Sequence, residues 1–331
     1  MMRMGLKVLA LVGLGALSTS CRNFNPKDYT SPQGIAKATR TAVNTGKDWN
    51  RCDKLHANPS VQEEYALGGA LAIHFVQRGD GLLLKGPGQA LHVYLNTVGK
   101  NLAAQSARPT LEWTFGVLED TAQFNAVSAP GGYVFVTRKL LQGVENEAQL
   151  AGVLAHEIAH ITLKHAIHHY GSVKVNACRL VIGGKLIISD TAAARLMRSV
   201  EGDGTLELDQ DAGLLGYLSE KTVELVEKGN SREQEFEADR IAVELMLSAG
   251  YDPQAYLALL DKTADGGGAF ANHPKKKDRQ DHIRAHVQSL KKSDGEFSGL
   301  ATTGLRSPPL SPAFAAVHGG NSTRGVAKDG K

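Results

Sequence analysis

The stretch His156-Glu157-Ile158-Ala159-His160 decides the fold of this chain, because it places the H-E-x-x-H spacing inside a helical pattern. Two histidines four residues apart lie on the same face of a helix, so both imidazoles can bind one metal ion. The glutamate after the first histidine then lies beside the open coordination position, where it can act as a general base. Short motifs of this kind also recur by accident, so a zinc site requires a third ligand.

The residues around the motif predict a helix independently of the metal. Asn146 has the position of an N-cap, with Gln149 as its reciprocal partner. Apolar residues then recur at helical spacing: Leu150, Val153, Leu154, Ile158 and Ile161. The histidines are expected at the margin of this stripe, at the edge of a core. A second helix is predicted to begin at a capping box of Ser231 and Gln234.

The second helix offers a third ligand. Glu235 and Asp239 are four residues apart and share a helix face. Glu235 could bind zinc while Asp239 accepts the remaining N–H of a ligand histidine. The alternative is an acidic first turn that the helix dipole favours, and Glu233 and Glu237 fit that alternative well.

The pairing of HEIAH with the later SREQEFEADR resembles the zinc peptidases that include the CAAX prenyl proteases and HtpX. Within that family the chain is most similar to the soluble, periplasmic BepA-like branch. Two more segments are similar to family motifs: residues 125–137, which read NAVSAPGGYVFVT, and His273-Pro274 followed by Arg279. Ala159 is a small departure, because many members have glycine there.

The resemblance implies one Zn²⁺ per chain, with His156, His160 and Glu235 as ligands. It also implies that Glu157 is the general base and that Asp239 lies behind a ligand histidine. The mechanism that follows is hydrolysis of a peptide bond, with Glu157 transferring a proton from water to the leaving amine.

Further site residues are implied by the same resemblance. His273 and Arg279 are candidates to stabilise the oxyanion, and Asn125 is expected to line the site. His273 could also occupy the open zinc position when substrate is absent. An edge strand to which an extended substrate adds is expected at Val134, Phe135, Val136 and Thr137.

The implied fold class is α+β: a mainly helical, zincin-type (gluzincin) metallopeptidase domain with a small antiparallel sheet carrying the active-site edge strand. Helical patterns cover residues 61–76 and 87–105, and strand patterns cover residues 111–118 and 133–136. The apolar stretch 180–188 is short and is interrupted by glycine and lysine, so it does not predict a membrane span.

The N-terminus has the layout of a signal peptide. Arg3 and Lys7 precede an apolar run over residues 8–17, which is too short to cross a bilayer. Small residues before Cys21 resemble the bacterial lipoprotein signal, which predicts lipidation of Cys21, with plain secretion to the periplasm as the alternative. Arg22 in place of aspartate favours the outer membrane, with the protein facing the periplasm.

These patterns predict four regions. They are a signal peptide at 1–20, a lipidated N-terminus and tether at 21–60, the zinc metallopeptidase domain at 61–294, and a disordered C-terminal tail at 295–331. The tail is predicted from its richness in Gly, Ser, Pro and Thr.

Charge and the remaining cysteines narrow the possibilities. The net charge of +3 gives no reason to expect nucleic acid as a partner. Cys52 and Cys178 could pair in an oxidising compartment or stay as two buried thiols. The histidines after the metal motif favour a polar helix face over a second metal site: His165, His168 and His169.

The resemblance implies a zinc-dependent endopeptidase of the bacterial cell envelope that acts on unfolded or misassembled proteins, attached to the membrane through its N-terminal lipid. The alternative is a chaperone-like assembly factor that binds its clients and cleaves rarely. The complete ligand set and Glu157 favour the endopeptidase.

Overall fold

The structure is a computed structural model, and it describes residues 49–184, 186, 188–262, 276–292 and 304–318. The predicted signal peptide, Cys21 and most of the tether lie outside the described residues, as do His273 and Pro274. The chain divides into a larger unit, Glu64–Ile167 with the residues from Thr222 onward, and a smaller unit, which ends at Glu63 and resumes over His168–Lys221.

The described residues are mainly helical, as predicted. In chain order the α-helices are α1 (Val61–Arg78), α2 (Gly88–Ala103), α3 (Arg138–Gly143), α4 (Glu147–Thr162), α5 (His165–Ile182), α6 (Asp190–Glu201), α7 (Ala212–Val226), α8 (Arg232–Ser248), α9 (Pro253–Asp261), α10 (Lys276–Lys292) and α11 (Ala315–His318). Short 3-10 helices cover Cys52–His56, Leu208–Gln210 and Pro312–Phe314. Among the described helices, none is both long and apolar enough to cross a membrane.

The larger unit contains a three-stranded sheet of β1 (Thr114–Leu118), β2 (Ala126–Ala129) and β3 (Tyr133–Thr137), in the order β1-β3-β2. β1 runs parallel to β3, while β2 and β3 form an antiparallel hairpin. The sheet is therefore mixed, and the prediction of an antiparallel sheet is wrong in this respect. The α+β class with a mainly helical domain is confirmed.

The predicted substrate strand is not at the edge of the sheet. Val134, Phe135, Val136 and Thr137 all belong to β3, which is paired on one side with β1 and on the other with β2. A strand inside a sheet has both backbone edges occupied, so an added peptide cannot pair with it. The four residues of β2 are too few to give a strand pattern in the sequence, and β2 is the strand of the hairpin that lies at an edge of the sheet.

The hairpin turn is tied to the end of α4. Gly131 and Gly132 have φ of +80° and +101°, which only glycine adopts freely. The backbone N–H of Gly131 donates to the Glu64 carboxylate at 3.1 Å, and Arg108 pairs with both Glu64 oxygens at 2.8 Å. Arg108 also donates to the carbonyl of Ile161 at 3.3 Å. One buried carboxylate and one arginine thus join the β2–β3 turn to the last turn of α4.

Helix α4, the metal helix, begins where the sequence predicts. The Asn146 side chain accepts from the backbone N–H of Gln149 at 3.0 Å. The Gln149 side chain accepts from the N–H of Glu145 at 2.9 Å, one residue earlier than a capping box requires. Residues 148–161 are all buried, because α2, α8, α9 and β2 pack around the helix. The histidines therefore lie within the core rather than at its margin.

Residues 304–318, the C-terminal strap, are ordered against the metal helix. The carbonyl of Pro308 accepts from the backbone N–H of Glu147 at 2.8 Å, which satisfies a donor that the first turn of α4 leaves open. Phe314 and Val317 are buried, and the Phe314 ring meets Tyr94 edge-on at 5.5 Å. The prediction of a disordered tail is wrong for these residues, because composition does not reveal two apolar anchors that reach the core.

The smaller unit is held by a disulfide and a buried charged network. Cys52 and Cys178 are joined in a disulfide, which decides between the two alternatives that the sequence left open. The Glu63 carboxylate accepts from the Tyr170 hydroxyl at 2.6 Å and from the Lys174 ammonium at 3.0 Å. All three side chains are buried, so their hydrogen bonds to one another replace the bonds to water that each group loses on burial.

Candidate metal centre

Two histidines and one glutamate converge in the larger unit. His156 and His160 come from α4 and Glu235 comes from α8, and their ligand atoms all lie within 4.8 Å of one another. The two Nε2 atoms are 3.0 Å apart, and the Glu235 oxygens lie 3.4 Å from His156 Nε2 and 3.5 Å from His160 Nε2. Two imidazoles and one carboxylate are a common set of protein ligands in hydrolytic zinc sites. These residues therefore fit the zinc ion that the sequence predicts.

Local sequence explains how α8 presents Glu235. Ser231 accepts from the backbone N–H of Gln234, and the Gln234 side chain accepts from the N–H of Ser231, so the predicted capping box is present. The helix ends before Gly250, which has a φ of +79°. Glu235 then lies in the first turn, with no exposed surface. A buried carboxylate in this place is stabilised by cationic or hydrogen-bonding partners.

His156 is backed by a charged group of side chains, the charged support, which consists of Asp239, Arg279 and Tyr256. Asp239 Oδ1 lies 3.0 Å from His156 Nδ1. Arg279 donates from Nε to Asp239 Oδ2 at 2.8 Å and from Nη2 to Asp239 Oδ1 at 2.6 Å. Arg279 Nη2 also lies 2.7 Å from the Tyr256 hydroxyl. Asp239 can accept the Nδ1 proton of His156, which leaves Nε2 free for a metal.

The charged support shifts the pKa of His156 and of its own member Asp239. Burial and the Arg279 guanidinium lower the pKa of His156, but hydrogen bonds to Asp239 and Glu235 outweigh them and raise it to about 9. Burial raises the pKa of Asp239, but the charge and hydrogen bonds of Arg279 hold it well below its usual range. Asp239 is therefore a carboxylate at neutral pH, as an acceptor for a ligand histidine must be.

His160 and Glu235 are backed by a different pair, the imidazole–amide support, which consists of His165 and Asn230. His165 Nδ1 lies 2.7 Å from His160 Nδ1. The Asn230 amide donates to Glu235 Oε1 at 2.9 Å, and its nitrogen lies 3.3 Å from His160 Nδ1. His165 is only 3% exposed, so the prediction of a polar-face residue is wrong for it. Asn230 carried no signal in the sequence beyond its place just before the Ser231 cap.

A groove of about 290 Å³ opens onto the metal centre. Glu157 and His160 line it on one side, and residues 126–129 of β2 line it on another, together with Asn125. Glu157 is 6% exposed, next to His156 in sequence and on the groove side of the helix. The arrangement places a carboxylate base, a cluster of metal-binding atoms and the edge strand around one cavity.

The remaining predicted residues have separate places. Arg279 is buried in the charged support, where its donors reach Asp239 and Tyr256. Asn125 lines the groove, and its backbone N–H donates to Thr137 Oγ1 at 3.1 Å. His273 lies outside the described residues, so its role stays a prediction.

A mainly helical α+β fold with this buried His-His-Glu cluster defines a metallopeptidase domain. The chain belongs to peptidase family M48, whose family model matches residues 90–287.

Relatives with established names share this domain. The chain is 29% identical over 211 residues to the beta-barrel assembly-enhancing protease of Yersinia pestis, a match that covers 63% of this chain and 39% of the relative. It is 31% identical over 194 residues to the mitochondrial metalloendopeptidase OMA1 of Schizosaccharomyces pombe, covering 56% of this chain and 50% of the relative. It is 28% identical over 178 residues to the metalloprotease YcaL of Escherichia coli, covering 52% and 61%. The matches thus cover between 39% and 61% of the length of these relatives, which is less than two thirds in each case.

Proposed function

We propose that this protein is a zinc endopeptidase that cleaves unfolded or misassembled proteins in the bacterial cell envelope. The observation that carries the proposal is the buried cluster of His156, His160 and Glu235 beside Glu157, at a groove bordered by an edge strand. Membership of peptidase family M48 supports the metal-dependent chemistry. The similarity to beta-barrel assembly-enhancing proteases of bacteria supports an envelope role.

His156, His160 and Glu235 would hold the zinc ion, which when bound supplies a Lewis acid and makes water a stronger nucleophile at neutral pH. Glu157 accepts the proton of the attacking water and delivers it to the leaving amine. Asp239 keeps the Nδ1 proton on His156, so that Nε2 faces the metal. We propose His273 rather than Arg279 as the oxyanion donor, because Arg279 is buried in the charged support with its Nε and Nη2 bound to Asp239 and Tyr256.

The substrate strand is proposed to add to β2 rather than to β3. β2 is at the edge of the sheet and its residues 126–129 line the groove with Glu157. An extended peptide that adds to a sheet edge is held mainly by main-chain hydrogen bonds, which are the same for every sequence. Folded proteins rarely offer such a segment, so the geometry favours unfolded chains as substrates.

The test is cleavage of a permanently unfolded protein, such as reduced and carboxymethylated lactalbumin, by the purified full chain. We expect cleavage that a chelator abolishes and zinc restores. Glu157→Gln should keep stoichiometric zinc and lose about 10²–10⁴-fold in turnover, because it removes only the proton acceptor. Equal cleavage by the wild type and Glu157→Gln would contradict the proposal.

A chaperone-like assembly factor is the second candidate, and the similarity to beta-barrel assembly-enhancing proteases favours it. In that case the Glu157→Gln protein should bind the unfolded chain as tightly as the wild type. The wild type should then release most of the bound protein intact. The fraction of bound protein that is released uncut separates the two functions.

We also propose that Cys21 carries a lipid anchor at the outer membrane, on the strength of the signal-peptide pattern alone. Cys21→Ser should abolish incorporation of radiolabelled palmitate and move the protein from the membrane fraction to the periplasmic extract. A wild type that is itself released in the periplasmic extract and carries no palmitate would instead indicate plain secretion.

The proposed role of His273 rests on the family resemblance. If His273 donates to the oxyanion, His273→Ala should lower peptide cleavage by about 10²-fold at matched zinc content. If it instead blocks the open zinc position, the same variant should raise basal activity and hydroxamate binding. No change in either measurement would make it an ordinary loop residue.

A further inference from the structure

His160 requires a partner on the side that faces away from the metal cluster. When a neutral imidazole binds a metal through Nε2, its proton sits on Nδ1 and must be accepted by another group. Asp239 meets this need for His156. His165 Nδ1 lies 2.7 Å from His160 Nδ1, and the Asn230 amide nitrogen lies 3.3 Å from it.

The Asn230 amide does not serve as this acceptor. Its Nδ2 lies 2.9 Å from Glu235 Oε1, and a carboxylate oxygen accepts only from the N–H side of an amide. The group that Asn230 turns towards His160 is thus the same nitrogen donor, which cannot accept the Nδ1 proton. The distances leave His165 Nδ1, at 2.7 Å, as the better acceptor.

The backbone is bent to bring His165 to this place. His160 and His165 are five residues apart, which on one continuous helix would separate them by about 140° around the axis. The metal helix ends at Thr162, and Lys164 has a φ of +60° before α5 starts at His165. A left-handed conformation at a residue other than glycine costs about 1 kcal/mol or more and persists where the surroundings impose it.

We propose that His165 is a positioning residue of the metal site, which accepts the Nδ1 proton of His160 and so orients its Nε2 toward zinc. In this role His165 is neutral, with its own proton on Nε2. The inference deepens the proposed function and rests on it, because it takes His156, His160 and Glu235 to be the zinc ligands.

The test measures zinc affinity in the full chain by competition with a chromophoric chelator. His165→Leu removes the acceptor at similar size and should weaken zinc binding by about 10–100-fold. His165→Gln offers a carbonyl oxygen instead and should recover most of the loss. The matched control is His168→Leu, an exposed histidine on the same helix, which should bind zinc like the wild type.

The outcomes separate this inference from the function on which it rests. If the wild type does not bind zinc, the proposed function itself fails and His165 has no ligand to orient. If His165→Leu binds zinc as the wild type does, or if His165→Gln is no better than His165→Leu, the positioning role is wrong. Thermal melts of the metal-free proteins show whether a loss of affinity merely reports unfolding.

A second measurement avoids substitution altogether, in case His165→Leu does not fold. In ¹⁵N-labelled, zinc-loaded wild type, imidazole NMR should show His165 protonated on Nε2 and unprotonated on Nδ1. A proton on His165 Nδ1 would overturn the proposal, because that nitrogen could no longer accept from His160.

A third measurement uses the variants again. In cobalt-substituted protein, the visible spectrum should change with His165→Leu and not with His168→Leu.

Discussion

The two histidines of the metal helix are held by supports of different electrostatic character. His156 is backed by the charged support, in which a buried carboxylate is neutralised by the Arg279 guanidinium. His160 is backed by the imidazole–amide support, in which the His165 ring and the Asn230 amide approach the ligands. Both ligands lie on one helix and within 3.0 Å of each other, so the difference comes entirely from the neighbouring elements.

The difference teaches that one metal site can combine a rigid half with an adjustable half. A buried ion pair is costly to break, because the remaining charge has no water to solvate it. The hydrogen bonds that His165 and Asn230 make to the ligands cost less to lose than this ion pair, and other side chains can replace them. We therefore expect substitutions on the His156 side to act on folding, and substitutions on the His160 side to act on metal affinity.

The largest effect is expected from the ligands themselves, where the two sides should not differ. His156→Ala, His160→Ala and Glu235→Ala should each lose stoichiometric zinc. Peptidase activity should fall by about 10³-fold or more, since the ion contributes several kcal/mol to the transition state. Metal analysis of the purified variants checks this, and retention of one zinc by Glu235→Ala would place the third ligand elsewhere, with Glu237 the first residue to examine.

The charged support should reveal itself in stability. Arg279→Met removes the bidentate guanidinium partner of the buried Asp239 carboxylate and leaves the His156 imidazole and the Tyr256 hydroxyl against it, which should lower the free energy of unfolding by about 3 kcal/mol. Urea denaturation of the metal-free protein measures the change, with Arg284→Met as the control on an exposed arginine of α10. Adding Asp239→Asn to Arg279→Met should recover part of the loss, because it removes the carboxylate charge that the guanidinium balanced. A loss below about 1 kcal/mol for Arg279→Met would show that the pair is not buried in solution.

Protons should compete with zinc at His156, the ligand that the charged support backs. In metal-free protein the pKa of His156 is about 9, raised by its bonds to Asp239 and Glu235 against burial and Arg279. Zinc requires the neutral imidazole, so below pH 9 a proton must leave before the metal can bind. Zinc affinity should therefore fall as pH falls, by up to about tenfold per pH unit between pH 9 and pH 7. An affinity that is constant over this range would give His156 an ordinary pKa and weaken the contrast between the supports.

The smallest effect is expected at Asn230. Asn230→Ala removes one donor to Glu235 Oε1 and should weaken zinc binding by about tenfold, the equivalent of a hydrogen bond to a charged group. The unfolding free energy of the metal-free protein should stay within about 0.5 kcal/mol of the wild type. A stability loss as large as that of Arg279→Met would erase the distinction between a rigid and an adjustable half.

Local chemistry accounts for the parts of the site that sequence predicted. The Asn146 cap, the Ser231–Gln234 capping box and the four-residue spacing of His156 and His160 depend on residues within one helix turn. Helical geometry converts such spacing directly into position. The Cys52–Cys178 disulfide, in contrast, closes a separation of 126 residues, and spacing alone could not choose between pairing and free thiols.

The parts that sequence did not predict depend on contacts between elements. β2 is an edge strand because β3 lies between β1 and β2 in the sheet, which no property of residues 126–129 reveals. Arg279 binds Asp239, which is 40 residues away in the sequence, although the family motif suggested that Arg279 stabilises the oxyanion. His165 reaches His160 only because Lys164 adopts a left-handed conformation. Each of these features is decided by tertiary structure, which periodicity does not encode.

The C-terminal strap affects the order in which the metal helix is completed during folding. The Pro308 carbonyl closes the first turn of the metal helix, and Phe314 completes the core beside Tyr94, yet both residues are made long after Glu147 has left the ribosome. Contacts between distant parts of a chain form late in folding, because a long loop must close first. The growing chain therefore holds all its metal-binding residues before it can finish the helix that carries two of them. A peptidase assembled in this order completes its active-site scaffold only after the C-terminal strap has docked against the metal helix.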